Sequence, residues 1–435
     1  MPENFTERLK TFADAFEMYK SESRSLSVAF ENDRLTEIRQ GESSGVSVRA
    51  VKSGKIGFSY SSKVDEIEDV AKSAARMAPF GKPYNFEFAG KQASKEKLAY
   101  DEGCENLNVE QLVELGNKVK DAIKAIDKDA MAECSFSGST SRTRVATSGG
   151  QDCEERGSGF GYMVGAKVCE EGNFVQTYRY RNDNKRIDDK EIIEAARIAA
   201  QDLVIARNVS PFAEGKYRVL FSPSAVSDLM LPVGTSVNGL NIEKKTSRFV
   251  NSLGEKLFDD RFSVTDDPFL PDGPGSSLYD GEGVCTRRRA VVEKGVLKGF
   301  THSLSTAKAC GHEATGNAAR GVSSIPQPSM HNIVVAAGDK SQADLLKLAE
   351  GGLLVDQMLG TFTSNFLAGQ VSGNISLGFP IKDGKRTGRV KNCALNVNMF
   401  EMLKAGIVAI SREREWQGNM LLPWILLEGV GISAR

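Results

Sequence analysis

Apolar residues recur at helical spacing at the start of the chain. Phe5, Leu9, Phe12, Phe16 and Tyr19 in FTERLKTFADAFEMYK predict a helix over 5–20. The pattern then shortens to alternation. SLSVAFEN (25–32), RLTEIRQ (34–40), SGVSVRAVKSG (44–54) and KIGFSYSS (55–62) read as strands, with Asn32-Asp33 and Ser53-Gly54 as turn residues between them. The stretch DEIEDVAKSAARMA (65–78) returns to helical spacing, with an acidic first turn and Pro79 after its end.

The same order recurs further along. AECSFSGSTSRTRVATSGG (132–150) and ERGSGFGYMVGAKVCEEGNFVQTYRY (155–180) predict hairpin strands, and DDKEIIEAARIAAQDLVIA (188–206) an Ala-rich helix. Each copy holds a Gly-aromatic strand, GFSY at 57–60 and GFGY at 159–162. We read 25–78 and 132–206 as a hairpin-helix duplication, with a helix over 108–127 between the halves. At RNVSPFAEG (207–215) a helix gives way to Pro and Gly, and the texture changes. Beyond it, short helices (224–232, 304–311, 341–351, 398–406) separate β patterns at 216–223, 283–303, 331–338, 361–369, 370–392 and 419–433. Glu293-Lys294-Gly295 and Lys382-Asp383-Gly384-Lys385 are hairpin turns. The fold class is therefore α+β. An N-terminal α+β domain of hairpin strands and helices occupies 1–210, and a β-rich domain with a curved sheet or irregular barrel and short helices occupies 211–435.

Composition narrows the function. The 56 Lys+Arg against 57 Asp+Glu leave a net charge of −1, which offers no electrostatic footprint for a nucleic acid. No window approaches the apolar length of a membrane span, and the charged N-terminus carries no signal-peptide core. Seven scattered cysteines without a C-x-x-C point to reduced thiols in a cytoplasm.

Three histidines, His302, His312 and His331, nearly exclude a His-rich metal centre. GHEATGNAARG (311–321) opens with His312-Glu313, but no second His stands at i+4 or i+5, so it is not a zinc-protease H-E-x-x-H. His302 and His331 read as helix-end or surface residues. No G-x-S-x-G elbow is present, and Asp266, Asp267, Asp280 and Glu282 read as a solvated acidic loop.

Three stretches together resemble one family. DGEGVCTRRRAVVEKGVLKGFTHSLSTAKACGHEATGNAARG (280–321), RLTEIRQGESSGVSVRAVKSGKIGFSYSS (34–62), and GTFTSNFLAGQVSGNISLGFPIKDGK (360–385) with the segments after it are similar to the TldD/PmbA proteins, once called modulators of DNA gyrase and regarded as metalloprotease-related. In the TldD type, an H-E-x-x-x-H motif follows the first strand of the C-terminal domain, and a Cys ligand precedes a late Leu-Pro. The corresponding stretches here, 221–246 and 412–423, hold neither His nor Cys. The resemblance therefore implies the PmbA/TldE type: a subunit without catalytic or metal residues of its own. It would pair with an H-E-x-x-x-H paralogue that supplies zinc, and wall a chamber in which an unfolded peptide binds as an added strand. Candidate chamber residues are Asp280, Glu282, Gly283, Thr315, Gly316 and Asn317, types that also suit tight turns. The alternatives are a homodimeric peptide-binding scaffold and a metal-independent hydrolase.

Overall fold

A computed structural model describes residues 9–170 and 173–434. The chain first builds one antiparallel sheet from β1 (Ala15–Glu31), β2 (Arg34–Lys52), β3 (Lys55–Ser61), β4 (Met131–Thr147), β5 (Asp152–Glu170) and β6 (Asn173–Asp183). Its order is β3-β2-β1-β4-β5-β6. Two three-strand meanders thus meet back to back along β1 and β4, and each is followed by a helix. Helix α1 (Ile67–Met77) lies against β2 and β3, and α3 (Asp189–Ala206) against β5 and β6. Between the meanders, α2 (Val109–Ile126) packs on β1 and β4.

Local chemistry explains the turns and caps. Asn32 and Asp33 (φ 51° and 68°), and Ser53 and Gly54 (φ 52° and 72°), take the left-handed values that a two-residue hairpin requires. Asn108 accepts from the Gln111 amide at 2.9 Å while the Gln111 side chain accepts from the Asn108 amide at 3.2 Å, a reciprocal cap for α2. Asn108→Ala is expected to lower stability by about 1 kcal/mol, read as a shift of the urea midpoint.

Several elements depart from the pattern reading. Of the helix expected over 5–20, residues 5–8 lie outside the described residues. Only Leu9 and Lys10 are helical among those described, and β1 begins at Ala15. The helical spacing misleads because the start of β1 is buried on both faces: Phe16 and Met18 face α1, while Glu17 and Tyr19 face the opposite side. The two strands expected over 34–40 and 44–54 are one strand of 19 residues. Residues 361–369 form 3₁₀ turns at Thr361–Thr363 and Phe366–Ala368 instead of a strand, with Asn365 capping the second at 3.2 Å. Leu353–Leu359 and Ile407–Gln417 are strands that alternation does not reveal. All but the last residue of Leu353–Leu359 are buried, so its two faces look alike.

From Gly215 the chain enters a second sheet. Here β7 (Gly215–Phe221) pairs with both Leu353–Leu359 and Met420–Ala434. Gln370–Lys382 and Cys393–Asn398 complete the circuit, so five strands close a barrel. Helix α4 (Pro223–Val237) buries Val226, Leu229, Met230 and Val233 in the barrel's core. One apolar cluster runs from α2 and α3 into Leu220, Leu354, Phe379 and Leu426 of the barrel strands. The two sheets are thereby locked through a shared core.

Candidate functional site

The stretch after β7 begins with a helix cap. Ser222 accepts from the Ala225 amide at 3.4 Å and donates to the Asp356 carbonyl at 3.1 Å, and Pro223 supplies a preset φ at the first turn of α4. The stretch 412–423 forms the end of the strand Ile407–Gln417 and the hairpin into Met420–Ala434. These two segments, 190 residues apart in sequence, meet at one cavity of about 670 Å³. Ser222, Pro223 and Ser224 line it from the first, and Arg414, Glu415, Trp416, Gln417 and Leu421 from the second, with Trp424 just after it.

The opposite wall is β6. Four consecutive residues, Tyr178 to Arg181, line the cavity. A strand that contributes residues from both of its faces presents its edge, and β6 pairs only with β5. The strand Ile407–Gln417 likewise lines the cavity with four consecutive residues, 414 to 417. It pairs with Met420–Ala434, and its middle bonds on the other side through Ser411 and Arg412 to Gly338 and Lys340. Among the described residues no second strand pairs with it beyond them. Two open strand edges therefore flank the space, and each carries unpaired backbone donors and acceptors. Aromatic rings of Tyr162, Tyr178, Tyr180, Trp416 and Trp424 supply apolar surface. Their polar ends are partly engaged: the Trp416 indole donates to Asp272 at 3.0 Å and that of Trp424 to Glu415 at 3.3 Å. Gln417 is only 6% exposed, and its Oε1 is buried without a partner.

Ion pairs cross the cavity floor. Arg179 donates to Asp356 at 3.0 Å and to Asp202, which also accepts from Arg386. Burial opposes the Arg179 charge, but Asp356 and Asp202 outweigh it and hold the guanidinium above its ordinary pKa. Asp202 and Asp356 are therefore committed to arginines. Among the described residues, no three His, Cys, Asp or Glu side chains come together to hold a metal ion. This donor set does not suit Zn²⁺, which takes nitrogen and sulfur ligands or free carboxylates.

The six turn residues lie elsewhere, where the first sheet meets the loops between β7 and Leu353–Leu359. Asp280 accepts from the amides of Glu282, Val284 and Ala318 at 2.9–3.0 Å, tying the 280–284 turn to the 315–318 segment. Burial and the neighbouring Glu282 push its carboxyl up to about 7. Glu282, fully buried, accepts from Arg49 at 2.7 Å and from the Leu304 amide at 2.7 Å. Gly283 has φ 76°, and its carbonyl accepts from Gln151 at 2.7 Å. Thr315 exchanges hydrogen bonds with the His302 backbone at 2.7 and 3.0 Å. At Gly316 (φ 69°) a Cβ would stand 2.6 Å from the Cys285 carbonyl oxygen. Asn317 donates to Asp266 at 2.6 Å, and its Oδ1 is buried without a partner. Asp280 lines a recess of about 240 Å³ together with Tyr19, Tyr279, Arg320 and His331.

Sequence reasoning missed the charges beneath this turn. Arg49 donates to Glu17 at 2.9 and 2.5 Å as well as to Glu282, and Arg320 pairs with Glu17 and donates to Ser47 at 2.9 Å. Glu17 is wholly buried, yet Arg49 and Arg320 hold it below the usual carboxylate range. Nothing in the spacing of these four residues announces that they meet. The acidic positions 266, 267, 280 and 282 are buried, not solvated.

The histidines also differ from expectation. His302 is 1% exposed, with Nδ1 3.2 Å from Thr306 and Nε2 2.9 Å from Nδ1 of the exposed His312, and the His331 side chain is 12% exposed beside Asp266. Burial, His312 and Arg289 lower the His302 pKa to about 4. A histidine with a depressed folded pKa stabilises fully above its unfolded value near 6.5, and that stability drains away as pH falls toward 4. We expect up to about 2 kcal/mol of stability to be lost between pH 7 and pH 4.5 through this group, and His302→Gln to flatten that part of the urea-midpoint profile.

Comparison with known proteins agrees along the whole chain. Models of the PmbA/TldA metallopeptidases match in three parts: domain 1 over 16–78, the central domain over 102–207 and the C-terminal domain over 214–434. The uncharacterized protein MJ0231 of Methanocaldococcus jannaschii is 27% identical over 412 residues, covering 94% of each chain. A metalloprotease of Methanothermobacter thermautotrophicus is 24% identical over 88% of this chain and 85% of its own. The crystal structure of TldE from Thermococcus kodakarensis superposes with a TM-score of 0.92 at 24% identity, covering 99% of each chain.

Proposed function

The chain belongs to the PmbA/TldD family of metallopeptidases, and from that premise we propose that it is a zinc-free, TldE-type subunit of a cytoplasmic peptidase. It holds an unfolded peptide as an extended strand in the cavity between β6 and Ile407–Gln417, while a TldD-type partner supplies the metal and the water-activating Glu. One observation carries this reading. The two segments in which the resemblance places the metal ligands of TldD-type chains, 221–246 and 412–423, both line this cavity, and neither holds a His or a Cys.

Open strand edges suit a peptide of any sequence, because the hydrogen bonds they offer go to main chain alone. The aromatic rings accommodate its side chains. The six turn residues Asp280, Glu282, Gly283, Thr315, Gly316 and Asn317 serve in this reading as the frame of a second wall, around the recess at Asp280. No chemical step is assigned to this chain's own side chains.

The test is hydrolysis of an unstructured peptide by this chain, by an H-E-x-x-x-H paralogue and by the two mixed, with and without a zinc chelator. Cleavage confined to the mixture and abolished by chelator is expected. Cleavage by this chain alone, indifferent to chelator, would overturn the reading in favour of a metal-independent hydrolase. Peptide binding with silence in every sample would replace it with a scaffold role.

A further inference from the structure

Over its first half, β5 has a strand on one side only. Residues 152–159 pair with β4, but the pairing with β6 starts at Phe160, opposite Asp183. The segment 90–101 touches the two ends of this edge through side chains: the Gln92 amide donates to Gln151 at 3.1 Å and the Asp101 amide to Ser158 at 2.9 Å. Among the described residues, no backbone bond reaches Glu154 to Ser158 from that side. A cavity of about 460 Å³ stands there, and seven consecutive residues, Glu155 to Gly161, line it, as a strand edge does. Gly157, Gly159 and Gly161 leave β5 bare on the face where Ser141, Ser139 and Ser137 of β4 stand opposite. A second main chain can therefore come close to this edge.

The open edge leads into the recess at Asp280, since Thr143, Glu155 and Ser277 line both spaces. Tyr19, Val145, Cys153 and Tyr279 give the recess apolar walls. Its charge is one-sided. Glu155 accepts from the Ser277 hydroxyl at 2.9 Å and the Leu278 amide at 3.1 Å, and Asp280 from three amides, but neither meets a Lys or Arg among the described residues. The Arg320 guanidinium in the wall is committed to Glu17 and Ser47, His331 stands beside Asp266 and Asn317, and Glu154 pairs with Arg142. Burial pushes the Glu155 carboxyl up, as it does that of Asp280. Two carboxyls without a cation in an apolar-walled recess complement a long basic side chain. Its stem packs on the rings while its head meets the carboxyls.

We propose that the β5 edge from Glu155 to Gly159 binds an extended peptide as an added strand, and that a Lys or Arg side chain of that peptide enters the recess at Glu155 and Asp280. The edge spans about 17 Å, five extended residues at ~3.4 Å each. The substrate class is thus a basic peptide. The proposal rests on the peptide-holding reading only for the recess at Asp280. Neither space shares a lining residue with the cavity beside Ile407–Gln417, so either site can fail alone.

The test uses fluorescence anisotropy on the full chain with a labelled, end-blocked heptapeptide of alternating Val and Thr that carries Lys at its centre. Norleucine in place of that Lys should weaken binding at least about tenfold, the effect of losing a close charge pair. Glu155→Gln should remove the preference for Lys and leave the affinity of the norleucine peptide unchanged, because the amide oxygen still accepts from Ser277 and Leu278. Methylating alternate main-chain amides of the peptide should abolish binding for one set of positions and not for the other, since an added strand turns every second N–H to its partner. Ile198→Arg, which crowds the cavity beside Ile407–Gln417 from an exposed position, should leave binding of the Lys peptide intact. Equal affinity for the two peptides, no binding at all, or equal weakening by both methylation sets would each overturn the proposal. So would loss of binding in Ile198→Arg, which would place the peptide beside β6 alone.

Discussion

Arg49→Met is expected to cost about 3–5 kcal/mol of folding stability, the range for removing one member of a buried charge network. Arg49 is 5% exposed and lies between two wholly buried carboxylates, Glu17 of β1 and Glu282 of the 280–284 turn. Its guanidinium also stands 5.5 and 5.2 Å from the ring centres of Phe86 and Phe88. Without it, Glu17 keeps Arg320 as its partner, and Glu282 keeps the Leu304 amide. Urea unfolding measures the loss. The sign of its pH dependence identifies the cause. Carboxylates stripped of their cation have folded pKa values above the unfolded ones, so they destabilise once pH rises past about 4.3. The deficit of the variant should therefore be larger at pH 8 than at pH 5. A deficit that is the same at both would place the loss in packing against Phe86 and Phe88.

The second large effect is steric. Gly57→Val should cost about 3 kcal/mol, because a Cβ at position 57 would lie 2.1 Å from the Ala74 carbonyl oxygen and 2.5 Å from the Ala78 nitrogen. Those atoms are helix backbone and cannot swing aside, so α1 must lift from β3. The thermal midpoint measures the effect, and Gly54→Ala is the control. Gly54 has φ 72° with no atom within 4 Å of its would-be Cβ, so that change strains only its own turn and should cost about 1 kcal/mol. Equal losses at the two positions would refute the packing account of Gly57.

Gly57 also shows how far the sequence could be read. GFSY and GFGY look like two copies of one motif, but GFSY lies on β3, the outer strand of the first meander, and GFGY on β5, the middle strand of the second. Their glycines serve different needs: Gly57 admits a helix, while Gly159 opposes Ser139 in the hairpin of β4 and β5. Features decided within a few residues were legible. The left-handed pairs at Asn32-Asp33 and Asp383-Gly384, and the caps at Asn108 and Asp188, follow from side-chain chemistry at the site itself. The family was legible because its motifs are contiguous. The cavity was not, since β6 and Ile407–Gln417 come together only when the whole chain has folded. The Arg179–Asp202–Asp356–Arg386 network spans similar separations. The start of β1 was misread for a different reason: burial on both faces erased the alternation that marks a strand.

The closure of the barrel orders events during synthesis. Strand β7 forms part of the ring at residue 215, but its second neighbour, Met420–Ala434, leaves the ribosome more than 200 residues later. The first sheet can assemble on the nascent chain, because all its strands and helices lie before residue 207. The ring cannot, and until the last strand arrives β7 offers an unsatisfied edge with Val219, Leu220 and Phe221 exposed to other nascent chains. A stalled or clipped product that stops short of Met420 would keep a folded front half and an open, aggregation-prone back half, a form that cellular quality control would recognise and remove.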